Sequence, residues 1–151
     1  KQVDLESRDN RGATPLHRAC QSPCHRHCVP ALLKKHVNVH ARNDQGWTPL
    51  HACARYGRPS YALLLDAGAE LDPVDDEGFT PLLRAAQFGH EVKIRTVAEE
   101  LVGRGARLDV QTHANETAWD LAGRQTPDLA RWIQEAASDP TRNRGNAKQE
   151  L

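Results

Sequence analysis

The chain has 151 residues, enough for about one domain, and its 20 basic and 20 acidic side chains cancel. That balance gives no general case for nucleic acid or an anionic membrane surface as a partner. No apolar run approaches the roughly 18 residues of a membrane span, and no secretory signal opens the sequence.

In chain order, one pattern keeps returning. Gly12-Ala13-Thr14-Pro15-Leu16-His17-Arg18-Ala19-Cys20 is followed 34 residues on by Gly46-Trp47-Thr48-Pro49-Leu50-His51-Ala52-Cys53-Ala54. Gly78-Phe79-Thr80-Pro81-Leu82-Leu83-Arg84-Ala85-Ala86 comes 32 further, and a weaker copy, Asn115-Glu116-Thr117-Ala118-Trp119-Asp120-Leu121-Ala122, comes 37 after that. Glycine and asparagine accept the positive φ of a tight turn. The threonine can cap free backbone donors, and proline next to it has the φ of a first helical turn and no donor to leave unpaired. Each unit therefore reads as a turn feeding a short helix. A period near 33 built on Thr-Pro-Leu-His resembles the ankyrin repeat. The resemblance implies an all-α ankyrin-repeat solenoid of about four helix-turn-helix repeats joined by β-hairpin-like turns, in which His17 and His51 fix neighbouring loop backbone.

Residues 1–8 look like the end of a truncated preceding repeat, because Val3 to Asp9 resembles a closing hairpin without its helices. With no methionine in the chain, this predicts an array that continued upstream, the segment being a monomeric part of a larger protein. Repeat 1 is predicted over 9–42, with Val29, Leu32 and Leu33 on one face of its second helix and Pro30 in that helix's first turn. Its inter-helix link, Gln21 to Cys28, departs from the family in having Pro23 for the usual glycine and about two added residues. Repeat 2 is predicted over 43–74, with Gly57-Arg58-Pro59 between helices, a buried run Ala62 to Leu65, and Gly68 as the stop. Repeat 3 is predicted over 75–111. There the distance from Gly89 to Gly105 exceeds that from Gly57 to Gly68 by five residues, and Ile94, Val97, Ala98 and Leu101 keep helical spacing. That favours a second helix lengthened by about a turn, with a longer preceding loop as the alternative. Repeat 4, 112–137, reads as a C-terminal cap whose core is closed by Leu129, Trp132 and Ile133. Residues 138–151 form a polar tail expected to be mobile.

Enzyme signatures are missing: there is no phosphate-binding glycine loop, no HExxH and no nucleophile elbow, and His90-Glu91 lacks its second histidine. The expectation is a non-catalytic module without cofactor that binds a protein or extended peptide, neither binds nucleic acid nor inserts in a membrane, and works in the cytoplasm. In related repeats the turn tips and the inner face of the first helices hold partners. The matching positions here are Ala13, Trp47, Phe79 and Glu116 after each turn, and Gln21, Ser22, Arg55, Tyr56, Gln87 and Phe88 before each inter-helix break. Trp47, Tyr56, Phe79 and Phe88 are four of seven aromatics in the chain, and are expected to line one concave strip with Arg55 and Gln87. Rigid rings beside arginine suit an interface hot spot; the other reading is that these rings pack on the neighbouring repeat. Asp75, Asp76 and Glu77 form an acidic third tip with Glu70 and Asp72 just before it, opposite Arg11 and Arg55. This suits a partner with a basic element, or is a solvated hairpin.

Four cysteines occur, and since they need not pair, a reducing compartment is favoured. Cys20, Cys24, His25, His27 and Cys28 crowd the irregular link, so Cys24, His25, His27 and Cys28 are minor candidates for zinc, and an exposed oxidisable thiol at Cys24 or Cys28 is a further one. His40 stands where ankyrin proteins often carry a hydroxylated asparagine, with Leu32 at the usual upstream spacing. Lys148-Gln149-Glu150-Leu151 differs by one residue from an endoplasmic-reticulum retrieval signal, a match read as coincidence. Alternative functions are substrate or adaptor recognition within a larger protein, in ubiquitin transfer or membrane traffic; a zinc- or redox-responsive repeat; and an architectural spacer.

Overall fold

The computed structural model describes residues 4–88, 92–124 and 126–139, excepting the side chains of 92–94. Among the described residues eight helices come in four pairs: α1 Pro15–Gln21 with α2 His25–Leu33, α3 Pro49–Arg55 with α4 Tyr61–Asp66, α5 Pro81–Gln87 with α6 Val92–Gly103, and α7 Ala118–Gly123 with α8 Pro127–Ser138. Among the described residues no strand occurs, so the all-helical expectation holds.

Each turn is closed by its own first side chain. Oδ1 of Asp9 accepts from the N–H groups two and four residues on, Arg11 and Ala13, at 2.8 and 3.0 Å. Asn43, Asp75 and Thr112 repeat the arrangement. These bonds bend the backbone before the residue with positive φ, 68° at Gly12 and 72° at Gly46. A Cβ there would stand 2.9 Å from the backbone nitrogen of Asp44 or Asp76 in the next turn, so glycine is required for stacking as well as for φ. Successive tips are tied by backbone bonds, Asp44 N–H to the Arg11 carbonyl, Asp76 to Gln45 and His113 to Glu77.

After each turn an extended threonine precedes the helix. In the first two repeats Nδ1 of His17 and His51 accepts the N–H of Thr14 and Thr48, at 3.2 and 3.1 Å. Nε2 therefore carries the proton and donates to the carbonyl of Trp47 or Phe79 in the following repeat, at 2.8 and 2.9 Å. Burial holds both imidazoles below their ordinary pKa, His51 down to about 4. In the last repeat Asp120 takes over the inward cap, receiving the Thr117 N–H at 2.8 Å.

The first helices pack in a row, α1 on α3, α3 on α5, α5 on α7, and each second helix backs its partner. Leu16, Leu50, Leu64, Leu82, Leu83, Leu101 and Leu129 fill the core, and alanines such as Ala52, Ala54, Ala85, Ala86 and Ala122 let the axes approach. α6 has 12 residues against six in α4. Its length lets Glu100 accept from the Tyr61 hydroxyl at 2.7 Å and Arg104 reach Asp66 at 2.9 Å on α4. Leu129 and Ile133 are buried and Trp132 partly so, while Trp119 stays half exposed.

Three expectations need correction. The run Ala62 to Leu65 is not buried throughout: so short a helix hides one face, and Leu63 is 39% exposed. α2 begins at His25, so Pro30 lies inside it rather than in its first turn, and the irregular link is absorbed into added helix. The cysteines do pair: Cys20 of α1 is joined to Cys53 of α3 with Cα atoms 4.7 Å apart, and Cys24 to Cys28 with Cα atoms 5.6 Å apart. Both spacings suit a disulfide, and the compartment argument from unpaired thiols falls. Of the predicted tail, the described part is Ser138, which closes α8, and Asp139; the Lys148 to Leu151 match lies outside the described residues. No described helix is long and apolar enough to cross a membrane.

Candidate functional site

The ends of α3 and α5 carry a band in which guanidinium groups and aromatic rings alternate. The Arg55 guanidinium carbon stands 4.0 Å from the Phe88 ring centroid, 5.3 Å from that of Trp47 and 5.6 Å from that of Tyr56. Arg84 stands 3.9 Å from the Phe79 centroid and 4.9 Å from that of Trp47. Each cation over a ring face contributes about 0.5–2 kcal/mol depending on desolvation. The band thus runs Phe88, Arg55, Trp47, Arg84, Phe79, with Tyr56 beside Arg55.

This brings together most of the predicted binding residues but changes their depth. Trp47 and Phe79, expected to face solvent, are each 6% exposed: Arg55 and Arg84 lie over Trp47, and Arg84 over Phe79, which also joins the apolar core. Tyr56 is 42% exposed and Phe88 partly buried. Gln87 accepts from Arg84 at 3.1 Å, and Glu77 takes the same guanidinium at 2.8 Å. Arg11 and Asp76 remain exposed at the turn tips and make no ion pair or ring contact with the band.

The acidic tip is also reorganised. Asp75 is no surface charge: its side chain is wholly buried, and Arg84 closes on its Oδ2 through Nε at 2.8 Å and a terminal nitrogen at 2.6 Å. The exposed remainder is Asp76, Glu70 and Glu77, the last of them paired with Arg84. Asp72 is half-buried and accepts the Arg107 N–H at 3.2 Å, and burial raises its carboxyl above the usual range.

Arg84 is the residue that sequence reasoning missed. The signal was present as a spacing: Asp, then Arg nine residues on, then Gln three further, occurs as Asp9/Arg18/Gln21 and Asp75/Arg84/Gln87. In repeat 1 the same bonds form on the surface, Arg18 pairing with Asp9 and reaching Gln21 at 3.3 Å.

The minor zinc candidates are not assembled into a ligand set. Cys24 and Cys28 bond each other, His25 is buried with Nδ1 2.9 Å from the Ser60 hydroxyl, and His27 points into solvent. Among the described residues no three His, Cys, Asp or Glu side chains converge on a metal position. His40 is exposed and borders a cleft of about 160 Å³ shared with Arg42, Thr48 and Glu70.

Comparison with known families agrees with this architecture. The family model described as ankyrin repeats (3 copies) matches residues 1–75 and 24–112. No curated protein matches the chain. Repeats of this family are in general protein–protein interaction modules and typically non-catalytic. With the matched residues covering well over half of its length, the chain belongs to the ankyrin-repeat family.

Proposed function

We propose that the chain is a non-catalytic interaction module that holds a partner protein or an extended peptide in a concave groove along its first helices. Contact would centre on Arg55, Tyr56 and Phe88, with Trp47, Phe79 and Arg84 as the rigid floor beneath. The observation that supports this most is the alternating band: ring–guanidinium stacking fixes large side chains before any partner arrives, so little ordering entropy remains to be lost on binding. The half-exposed Tyr56 at its edge supplies the rigid contact area typical of hot spots. The acidic third tip contributes through Asp76 and Glu77, in steering rather than in affinity.

Selection of displayed random peptides on the whole chain tests the reading. Tyr56→Ala together with Phe88→Ala should weaken the selected peptides by at least about tenfold, while circular dichroism shows the helices intact. Equal binding by wild type and this variant would rule out the band as the contact surface and leave the architectural spacer.

A further inference from the structure

Arg55 differs from Arg18 and Arg84 in what it lacks. Arg18 and Arg84 each hold an acid supplied nine residues earlier, Asp9 or Asp75, and a glutamine three residues later. In repeat 2 that triad is rewritten: the acid is the amide Asn43, the arginine position is Ala52, and the glutamine position carries Arg55 itself. The Asn43 side-chain oxygen is already taken by the N–H groups of Gln45 and Trp47. Arg55 consequently makes ring contacts, to Trp47, Tyr56 and Phe88, and no ion pair or side-chain hydrogen bond among the described residues. Its flat faces lie against rings, and its edge N–H groups have no protein acceptor among the described residues, although the residue is partly buried. The Trp47 ring beneath presents a second orphan: its indole N–H is buried with no acceptor.

Two donors without a protein acceptor among the described residues thus sit together in the groove wall. A buried donor without an acceptor, as at the Trp47 indole, is costly, and a planar guanidinium held by aromatic faces is oriented for a bidentate acceptor. We infer that Arg55 is the recognition point for a carboxylate, an Asp or Glu side chain within the partner segment that lies in the groove. The inference rests on the groove reading above and names the chemistry of the bound segment. It differs from the acidic tip, which favours a basic element elsewhere on the same partner: the partner should carry an acidic residue at α3 and gain from a basic one near Asp76.

The displayed-peptide selection on the full chain tests this. Peptides that bind should share an Asp or Glu at one fixed position. Changing that residue to Asn or Gln should weaken binding to wild type roughly 10- to 100-fold. Against Arg55→Gln the acidic and amide peptides should bind equally, both at the weakened level. Arg55→Lys, which keeps the charge and changes the surface little, should recover part of the preference, and Trp47→Phe should cost a few-fold through loss of one donor. An acid preference that survives unchanged in Arg55→Gln would place the carboxylate elsewhere and overturn the assignment. So would tight peptides lacking a fixed internal acid, including ones recognised by a C-terminal carboxylate or a phosphate; the groove reading would then stand without it. If no peptide is enriched at all, the groove reading itself fails and this inference falls with it.

Discussion

At the scale of single residues, the histidines do two jobs with one ring. His51 accepts from its own repeat and donates to the next, and this requires a neutral imidazole with the proton on Nε2. A folded-state pKa of about 4, below the ordinary 6.5, means that the unfolded chain binds the proton more tightly. The contribution is therefore complete above about pH 6.5 and is lost as the pH falls toward 4. A gap of that size corresponds to about 3 kcal/mol. His17 is shifted in the same direction. Urea midpoints measured from pH 7.5 to 4.5 should fall more steeply for wild type than for His51→Gln, whose amide keeps a donor but does not titrate in this range. Parallel pH profiles would refute the neutral double-bonding role. The resemblance of Thr-Pro-Leu-His to the ankyrin repeat implied that these histidines fix loop backbone; the bond into the following repeat spans 28 residues and came with the fold. The depth of Trp47 and Phe79 was not legible in the sequence, since their cover includes Arg55 eight residues on from Trp47 and Arg84 thirty-seven residues on.

At the scale of elements, the same three-residue device gives unequal results in two repeats. Asp75 and Arg84 tie the third turn to α5 with both side chains almost fully buried, 0% and 6% exposed, whereas Asp9 and Arg18 do so at 28% and 48%. Loss of one partner from a buried pair strands a charge at a cost of about 3–5 kcal/mol, while an exposed pair contributes less than about 1 kcal/mol. Arg84→Ala should thus lower stability several times more than Arg18→Ala in chemical denaturation. Repeat 2 suggests the rescue, because Asn43 and Ala52 occupy the equivalent positions there with the turn intact. Adding Asp75→Asn to Arg84→Ala should recover much of the loss; what remains reports the cover that Arg84 gives Trp47 and Phe79. No recovery would mean that ring cover, not charge pairing, is the main contribution. The cysteines show the same limit on reading a repeat by alignment. Cys20 aligns with Ala54, not Cys53, and the disulfide between α1 and α3 arises because stacked helices meet one position out of register.

At the scale of the whole molecule, a solenoid is as strong as its seams, since each repeat contacts its neighbours alone. Beside the Cys20–Cys53 disulfide and the His25–Ser60 bond at one seam, and the Tyr61–Glu100 and Arg104–Asp66 bonds at the other, the same three ties recur between the first and second repeats and between the second and third. They are the tip backbone bond, the histidine to the next turn's carbonyl, and an arginine at the turn base: Arg8 to the Arg42 carbonyl and Arg42 to that of Val74, each at 2.6 Å. Between the third and fourth repeats the sequence substitutes both side chains. Leu83 stands where the histidine would be and Val74 where the arginine would be, so of these three the His113 to Glu77 backbone bond alone is kept. α7 and α8 are then held mainly by apolar contact, with Leu121, Leu129 and Ile133 buried. Hydrogen exchange should accordingly show α7 and α8 opening together at lower free energy than α3 and α4, which lie between fully tied seams. Ile133→Ala, costing about 2–5 kcal/mol for a buried large-to-small change, should release protection in α7 and α8 while α1 to α4 stay protected. If that substitution instead lowered protection equally along the chain, the repeats would be one cooperative unit and the missing ties at the last seam would have no energetic consequence.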